Sequence, residues 1–251
     1  MRLNRLKVLW DEGKAANNCW LNISSGYVAE IMAAQGWDSV TIDLQHGMID
    51  VSGAYDMLTA ISTTDSVPLV RVPWNEPGII MKMLDAGAYG IVCPMINNGE
   101  ECASFVGACR YAPEGYRSVG PNRAILYGGT DYINQANRTV LALAMVETAE
   151  ALKNLDEICT TPGLDGILIG PSDLGLSLGR KAVGNQTDEV VLAAIDKILS
   201  TAKRHGLKAA IFNSTVDYAK QMIEKGFDLV TVTSDAASLR IGAERLKEMQ
   251  S

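Results

Sequence analysis

The chain has 251 residues, 47% of them hydrophobic and 20% charged, enough apolar material for one large α/β core. Its net charge of −7 argues against nucleic acid or an anionic membrane as the main partner. No apolar run approaches the ~18 residues a membrane span needs, and the five cysteines (Cys19, Cys93, Cys102, Cys109, Cys159) form no CxxC pair, which points to a reducing, cytoplasmic setting without disulfides or a zinc site.

The basic N-terminal stretch has only Val8, Leu9 and Trp10 before Asp11 and Glu12. That is too short for a signal peptide and reads as a small amphipathic helix. Eight short apolar segments follow as strands, at 19–23, 39–44, 67–72, 89–93, 140–146, 166–169, 208–212 and 228–232. Most are continuously apolar, as strands covered on both faces are. Helical patterns alternate with them at 27–35, 51–62, 79–86, 100–109, 150–159, 189–205, 216–225 and 236–249. Several stop at a glycine (Gly36, Gly87, Gly206, Gly226), the residue preferred just past a helix end. Asn75 is expected to cap the third helix, with Pro77 in its first turn. Eight β-then-α repeats with no linker predict a single (β/α)8 TIM barrel over residues 1–251. The stretch 110–131 has no period and carries Arg110, Arg117 and Arg123, so it reads as a long loop: a lid or subunit contact lending charge to an anion site.

Chemistry in such a barrel belongs where strands end. Two strands end in acids: the run to Val146 stops at Glu147, and the run to Ile169 leads through Gly170, Pro171 and Ser172 to Asp173. Side by side, two carboxylates repel unless a proton or cation lies between them, and oxygen ligands suit Mg²⁺ or Mn²⁺. Taken singly, Glu147 is also compatible with a helix N-terminal acid and Asp173 with a helix cap. The glycine-ended strand leaves the N–H groups of Ser172 and Asp173 free for a small carboxylate. His46 ends the second strand and has the intrinsic pKa of a general base. His205, at a helix C-terminus, is structural. Arg71 interrupts an apolar strand and needs an anion, either a ligand's carboxylate or enolate or a core acid such as Asp43. Asp85 ends the third helix against the dipole preference, so it is either an orienting partner for His46 or solvent-exposed.

Other chemistries lack support. There is no P-loop, no GxGxxG after a strand and no GxSxG elbow. Of eleven lysines only Lys208 touches a strand, at the wrong end, which excludes Schiff-base catalysis.

Six motifs in order carry a family resemblance: DLQHG at 43–47, VRVPWN at 70–75, LDAGA at 84–88, RYAP at 110–113, VET at 146–148 and GILIGPSDL at 166–174. From about Trp20 to Thr233 the chain resembles the HpcH/HpaI aldolases, metal-dependent class II pyruvate aldolases similar in fold to the phosphoenolpyruvate/pyruvate barrels and usually hexamers of swapped dimers. The resemblance implies that Glu147 and Asp173 hold a divalent metal (Mg²⁺, Mn²⁺ or Co²⁺). It makes His46 the base, Asp85 its orienting partner, and Arg71 the group that binds the pyruvyl oxygen. The N–H groups of Ser172 and Asp173, after Gly170, would bind the carboxylate. The implied reaction joins or separates a 2-oxo acid, pyruvate or hydroxypyruvate, and an aldehyde. Oxaloacetate decarboxylation on the same site, or non-catalytic binding of a small acid, are the alternatives. Two departures bear on substrate preference: Gln45 stands where the family usually has Glu, and Met145 where it usually has Gln.

Overall fold

The computed structural model describes residues 1–247. Eight parallel strands close a barrel in chain order: β1 (Ala16–Leu21), β2 (Ser39–Asp43), β3 (Val67–Arg71), β4 (Gly90–Cys93), β5 (Leu141–Val146), β6 (Gly166–Ile169), β7 (Lys208–Ile211) and β8 (Leu229–Ser234). The (β/α)8 expectation holds. Closure is made by β1 on β8, where the register shifts between Asn18 and Cys19. Every residue of β2, β4, β5 and β6 is buried, as strands covered by both a helical layer and the barrel's own interior must be.

Thirteen helices are described, five more than the eight repeats require. They are α1 (Arg5–Asp11), α2 (Gly26–Ala33), α3 (Val51–Ile61), α4 (Pro77–Asp85), α5 (Gly99–Cys109), α6 (Asn122–Gly128), α7 (Tyr132–Thr139), α8 (Ala149–Lys153), α9 (Leu155–Cys159), α10 (Pro171–Ser177), α11 (Glu189–Arg204), α12 (Val216–Lys225) and α13 (Asp235–Lys247). The N-terminal helix is α1, which seals the barrel with Leu6 and Trp10. The expected helix at 150–159 is two pieces, parted at Asn154, whose side chain donates instead to the carbonyl of Asn97 at 2.8 Å. The helix expected at 236–249 is α13 as far as Lys247; 248–251 lie outside the described residues.

Two expectations are corrected. The α4 cap is Glu76, which accepts N–H bonds from Gly78 and Ile79, while Asn75 donates to the carbonyl of Glu101. The segment 110–131 is not a free lid: it holds α6, and its arginines serve the scaffold. Arg110 binds the Val140 and Gly163 carbonyls and Asp165, and Arg123 binds the carbonyls of Ala86 and Leu58. Their neighbours carry no periodic signal because guanidinium-to-carbonyl ties, together with scattered apolar contacts such as those of Tyr111 and Ala124, hold this segment.

The five cysteines are free and buried. Burial pushes the thiols up, to about 11 for Cys102 and about 12 for Cys19, Cys109 and Cys159, so they are inert core residues. His205 meets Asp156 at 2.8 Å on the surface beside the end of α11, a structural place.

Candidate active site

The strands deliver their last residues to one rim, and there Trp20, His46, Arg71, Met145, Glu147, Gly170, Pro171, Ser172, Asp173 and Phe212 enclose a pocket of about 210 Å³. The ends of six strands, β1, β2, β3, β5, β6 and β7, contribute to it. The volume is below the range of drug-sized sites, which limits the occupant to a small molecule.

Arg71 is the last residue of β3, in register with Asp43 at the end of β2. Its guanidinium grips that carboxylate twice, Nε to Oδ1 at 2.8 Å and Nη2 to Oδ2 at 2.6 Å, and lies 4.9 Å from the centre of the Trp20 ring. Burial alone would push the Asp43 carboxyl up, but the hydrogen bonds and charge of Arg71 outweigh it and hold the pKa below the ordinary value. Of the two sequence readings of Arg71, the pairing with the core acid Asp43 is the one observed, and the same side chain lines the pocket. Asp43 also accepts the Asn22 side chain at 3.1 Å and the main-chain N–H groups of Gln45 and His46 at 3.0 and 3.2 Å. That turn is tight, since a Cβ on Gly47 would meet the Asp43 carbonyl oxygen at 2.2 Å. It presents the exposed His46 ring to the pocket, with no hydrogen-bond partner on either ring nitrogen among the described residues.

Glu147, one residue past β5, is 3% exposed. Its Oε1 accepts the N–H of Met95 at 2.8 Å. Its Oε2 lies over Gly170, where a Cβ would sit 2.3 Å away. Burial raises the Glu147 pKa to about 7; the Met95 hydrogen bond and the charge of Arg71 lower it, while the charge of Asp173 raises it further. Gly170 caps α10 without a side chain, and Pro171 has no N–H, so the first donors of the helix, Ser172 and Asp173, make no hydrogen bond among the described residues.

A buried carboxylate beside a second one, with the nearby guanidinium already committed to Asp43, calls for a cation. The donors present fit a hard divalent ion: two carboxylates, with the remaining positions left to water or ligand oxygens. Among the described residues no cluster of three or more His, Cys, Asp or Glu forms a fuller metal cage.

The structure thus brings His46, Arg71, Glu147, Gly170, Ser172 and Asp173 together. Asp85 is the exception. It ends α4, and a helix that leaves the catalytic rim after β3 finishes at the opposite face of the barrel. There its carboxylate accepts Arg117 Nη2 at 2.7 Å, so it does not orient His46 of the same chain. Sequence reasoning passed over Trp20, whose place in an apolar strand reads as core, and Asn22, an isolated loop polar residue.

Carboxylates, a fixed guanidinium and free N–H groups on the C-terminal rim of a (β/α)8 barrel define an enzyme for a small anionic substrate. The family model for HpcH/HpaI aldolase/citrate lyase matches residues 17–241. The chain is 40% identical over 244 residues to a hydroxypyruvate/pyruvate aldolase of Rhizorhabdus wittichii, covering 97% of each. It is 34% identical to a 5-keto-4-deoxy-D-glucarate aldolase of Salmonella arizonae, covering 98% of this chain and 96% of that one. A solved HpcH/HpaI aldolase/citrate lyase family protein of Burkholderia cenocepacia superposes with a TM-score of 0.90 at 32% identity, covering 98% of both chains. The chain belongs to the HpcH/HpaI aldolase/citrate lyase family and is a carbon–carbon lyase.

Proposed function

We propose that this enzyme is a divalent-metal-dependent aldolase that reversibly cleaves a 4-hydroxy-2-oxo acid into pyruvate, or hydroxypyruvate, and an aldehyde. The observation that carries the reading is the convergence, in one small pocket, of Arg71, the Glu147–Asp173 carboxylates and the unpartnered N–H groups of Ser172 and Asp173. The Rhizorhabdus relative's name supports pyruvate and hydroxypyruvate as donors.

The residues divide the work. The N–H groups of Ser172 and Asp173 bind the substrate carboxylate. Arg71, locked by Asp43, donates to the 2-keto oxygen, where negative charge grows as the carbon–carbon bond breaks. His46 takes the proton from the 4-hydroxyl as the C3–C4 bond breaks and delivers it to C3 of the enolate to give pyruvate; in the synthetic direction it takes a methyl proton of pyruvate and gives it to the new alkoxide. Trp20, Met145 and Phe212 supply an apolar wall that keeps water off the nascent carbanion. A divalent cation (Mg²⁺, Mn²⁺ or Co²⁺), held by Glu147 and Asp173, would supply Lewis-acid polarisation of the same keto oxygen.

The test is exchange of the pyruvate methyl protons in D₂O, followed by NMR with Mg²⁺ or Mn²⁺ and then with EDTA. Exchange that EDTA abolishes is the expected result. Its absence with every metal, from folded protein, would leave a small-acid binder. Rapid loss of CO₂ from oxaloacetate without any aldol product would make the enzyme a decarboxylase.

A further inference from the structure

Met95 is the only non-glycine residue with positive φ among the described residues, at +56°. Neither length nor composition of the β4–α5 connection demands this: the loop is short, and a glycine would adopt the conformation freely. An outlier of this kind at the edge of a site asks what it achieves.

The hydrogen bonds answer. The N–H of Met95 donates to Glu147 Oε1 at 2.8 Å, and the N–H of the next residue, Ile96, donates to the Met145 carbonyl at 3.3 Å. In an extended strand successive N–H groups point to opposite sides. Here two in succession point to the same neighbouring segment, the end of β5, and the left-handed turn at Met95 lies between them. The carbonyl of Met95 accepts Asn97 Nδ2 at 2.9 Å, and Asn97 is itself tied to Thr148 and, at 2.8 Å, to Asn154 on the far side of Glu147. The loop is therefore stapled on both flanks of the carboxylate. One oxygen of Glu147 is occupied by this N–H; the other lies against bare Gly170 at the pocket wall.

We propose that Met95 is a positioning residue: its left-handed main chain directs an N–H onto Glu147 Oε1 and so presents Oε2, in a single orientation, as a ligand for the divalent cation. The inference rests on the reading of Glu147 as a metal ligand. It concerns main-chain geometry, so the Met95 side chain is dispensable and a glycine suffices.

Binding of Mn²⁺ alone, followed by the EPR signal of the free ion, tests it on the full-length protein without reference to turnover. Met95→Gly, which reaches the same φ without strain, is expected to bind as the wild type does. Met95→Val, whose β-branch disfavours positive φ, is expected to bind about 10-fold more weakly or worse, the usual effect of losing a group that orients a ligand. Replacing Met95 by its α-hydroxy acid analogue keeps the side chain and deletes only the N–H; it is expected to show the same loss, with circular dichroism unchanged. Unaltered Mn²⁺ affinity in both the Val variant and the ester would overturn the role of Met95 while leaving the metal site standing. Loss of affinity in Met95→Gly comparable to Met95→Val would overturn it too, because the side chain would then be responsible. A wild-type protein that binds no Mn²⁺ would overturn the metal reading itself, and this role with it.

Discussion

Arg71 shows how one side chain reconciles two demands. A guanidinium beside an apolar strand is costly without a partner, and Asp43 supplies a bidentate one; that pairing also fixes the direction of the remaining donors. Arg71→Ala is expected to lower turnover by roughly 100-fold or more, the effect of deleting one such donor, while Mn²⁺ affinity stays nearly unchanged. Steady-state kinetics beside a metal titration check it, and equal activity would remove Arg71 from the mechanism. Glu147 carries a pH signature. Its carboxyl is raised, chiefly by burial, from the ordinary 4.5 to about 7. In metal-free protein its contribution to stability is thus fully present below the unfolded value and is lost as pH rises through about 7. Because the metal must displace that proton, Mn²⁺ affinity is expected to climb by up to about 10-fold per pH unit below the raised pKa and to level off above it. A titration series spanning neutrality checks this; affinity flat with pH would contradict the shift.

Among the elements, the first turn of α13 acts on the site through the loop that carries Asn22. Asp235, 1% exposed and without a cationic partner among the described residues, accepts the N–H groups of Asn22 and Ile23 at 3.0 Å each and that of Ala236 at 2.6 Å. Asn22 in turn donates to Asp43 at 3.1 Å. The β1–α2 loop is thereby clamped between the last helix and the Arg71 pair. Asp235→Asn replaces an acceptor by a donor facing those N–H groups and is expected to cost about 1–3 kcal/mol, a melting temperature lower by several degrees. Scanning calorimetry checks it. At this scale the sequence was readable wherever periodicity was strong. The strands appeared within a few residues of their true limits because continuous apolar runs are what a doubly covered strand requires. Three short helices, α6, α7 and α10, were not anticipated. Their residues bury little apolar stripe, and they persist through tertiary ties such as Arg117 to Asp85 and Tyr132.

For the whole molecule, the outer layer is uneven. Along α13 only Asp235 is buried, while Leu239, Ile241 and Leu246 are each more than 60% exposed. Three large apolar side chains left this bare on one otherwise polar helix support assembly with further copies, and together with the family resemblance they lead us to propose a homo-oligomer of six chains. Light scattering behind gel filtration is expected to give six times the 27.0 kDa chain mass, and a monomer would contradict it. The sequence by itself determined the barrel, through eight repeats of buried strand and amphipathic helix, and most of the site, because a parallel barrel sends every strand's C-terminal end to one rim. His46, Arg71, Glu147 and Asp173 could be collected from their positions after apolar runs alone. Tertiary structure decided what depends on direction across the barrel. Asp85 lies at the far face because its helix runs back along the strand, and Trp20 stacks on Arg71 because β1 and β3 flank β2 in a closed ring. Met95 turns left-handed because two neighbouring N–H groups must meet β5, a demand made by a strand some fifty positions away that no local pattern records.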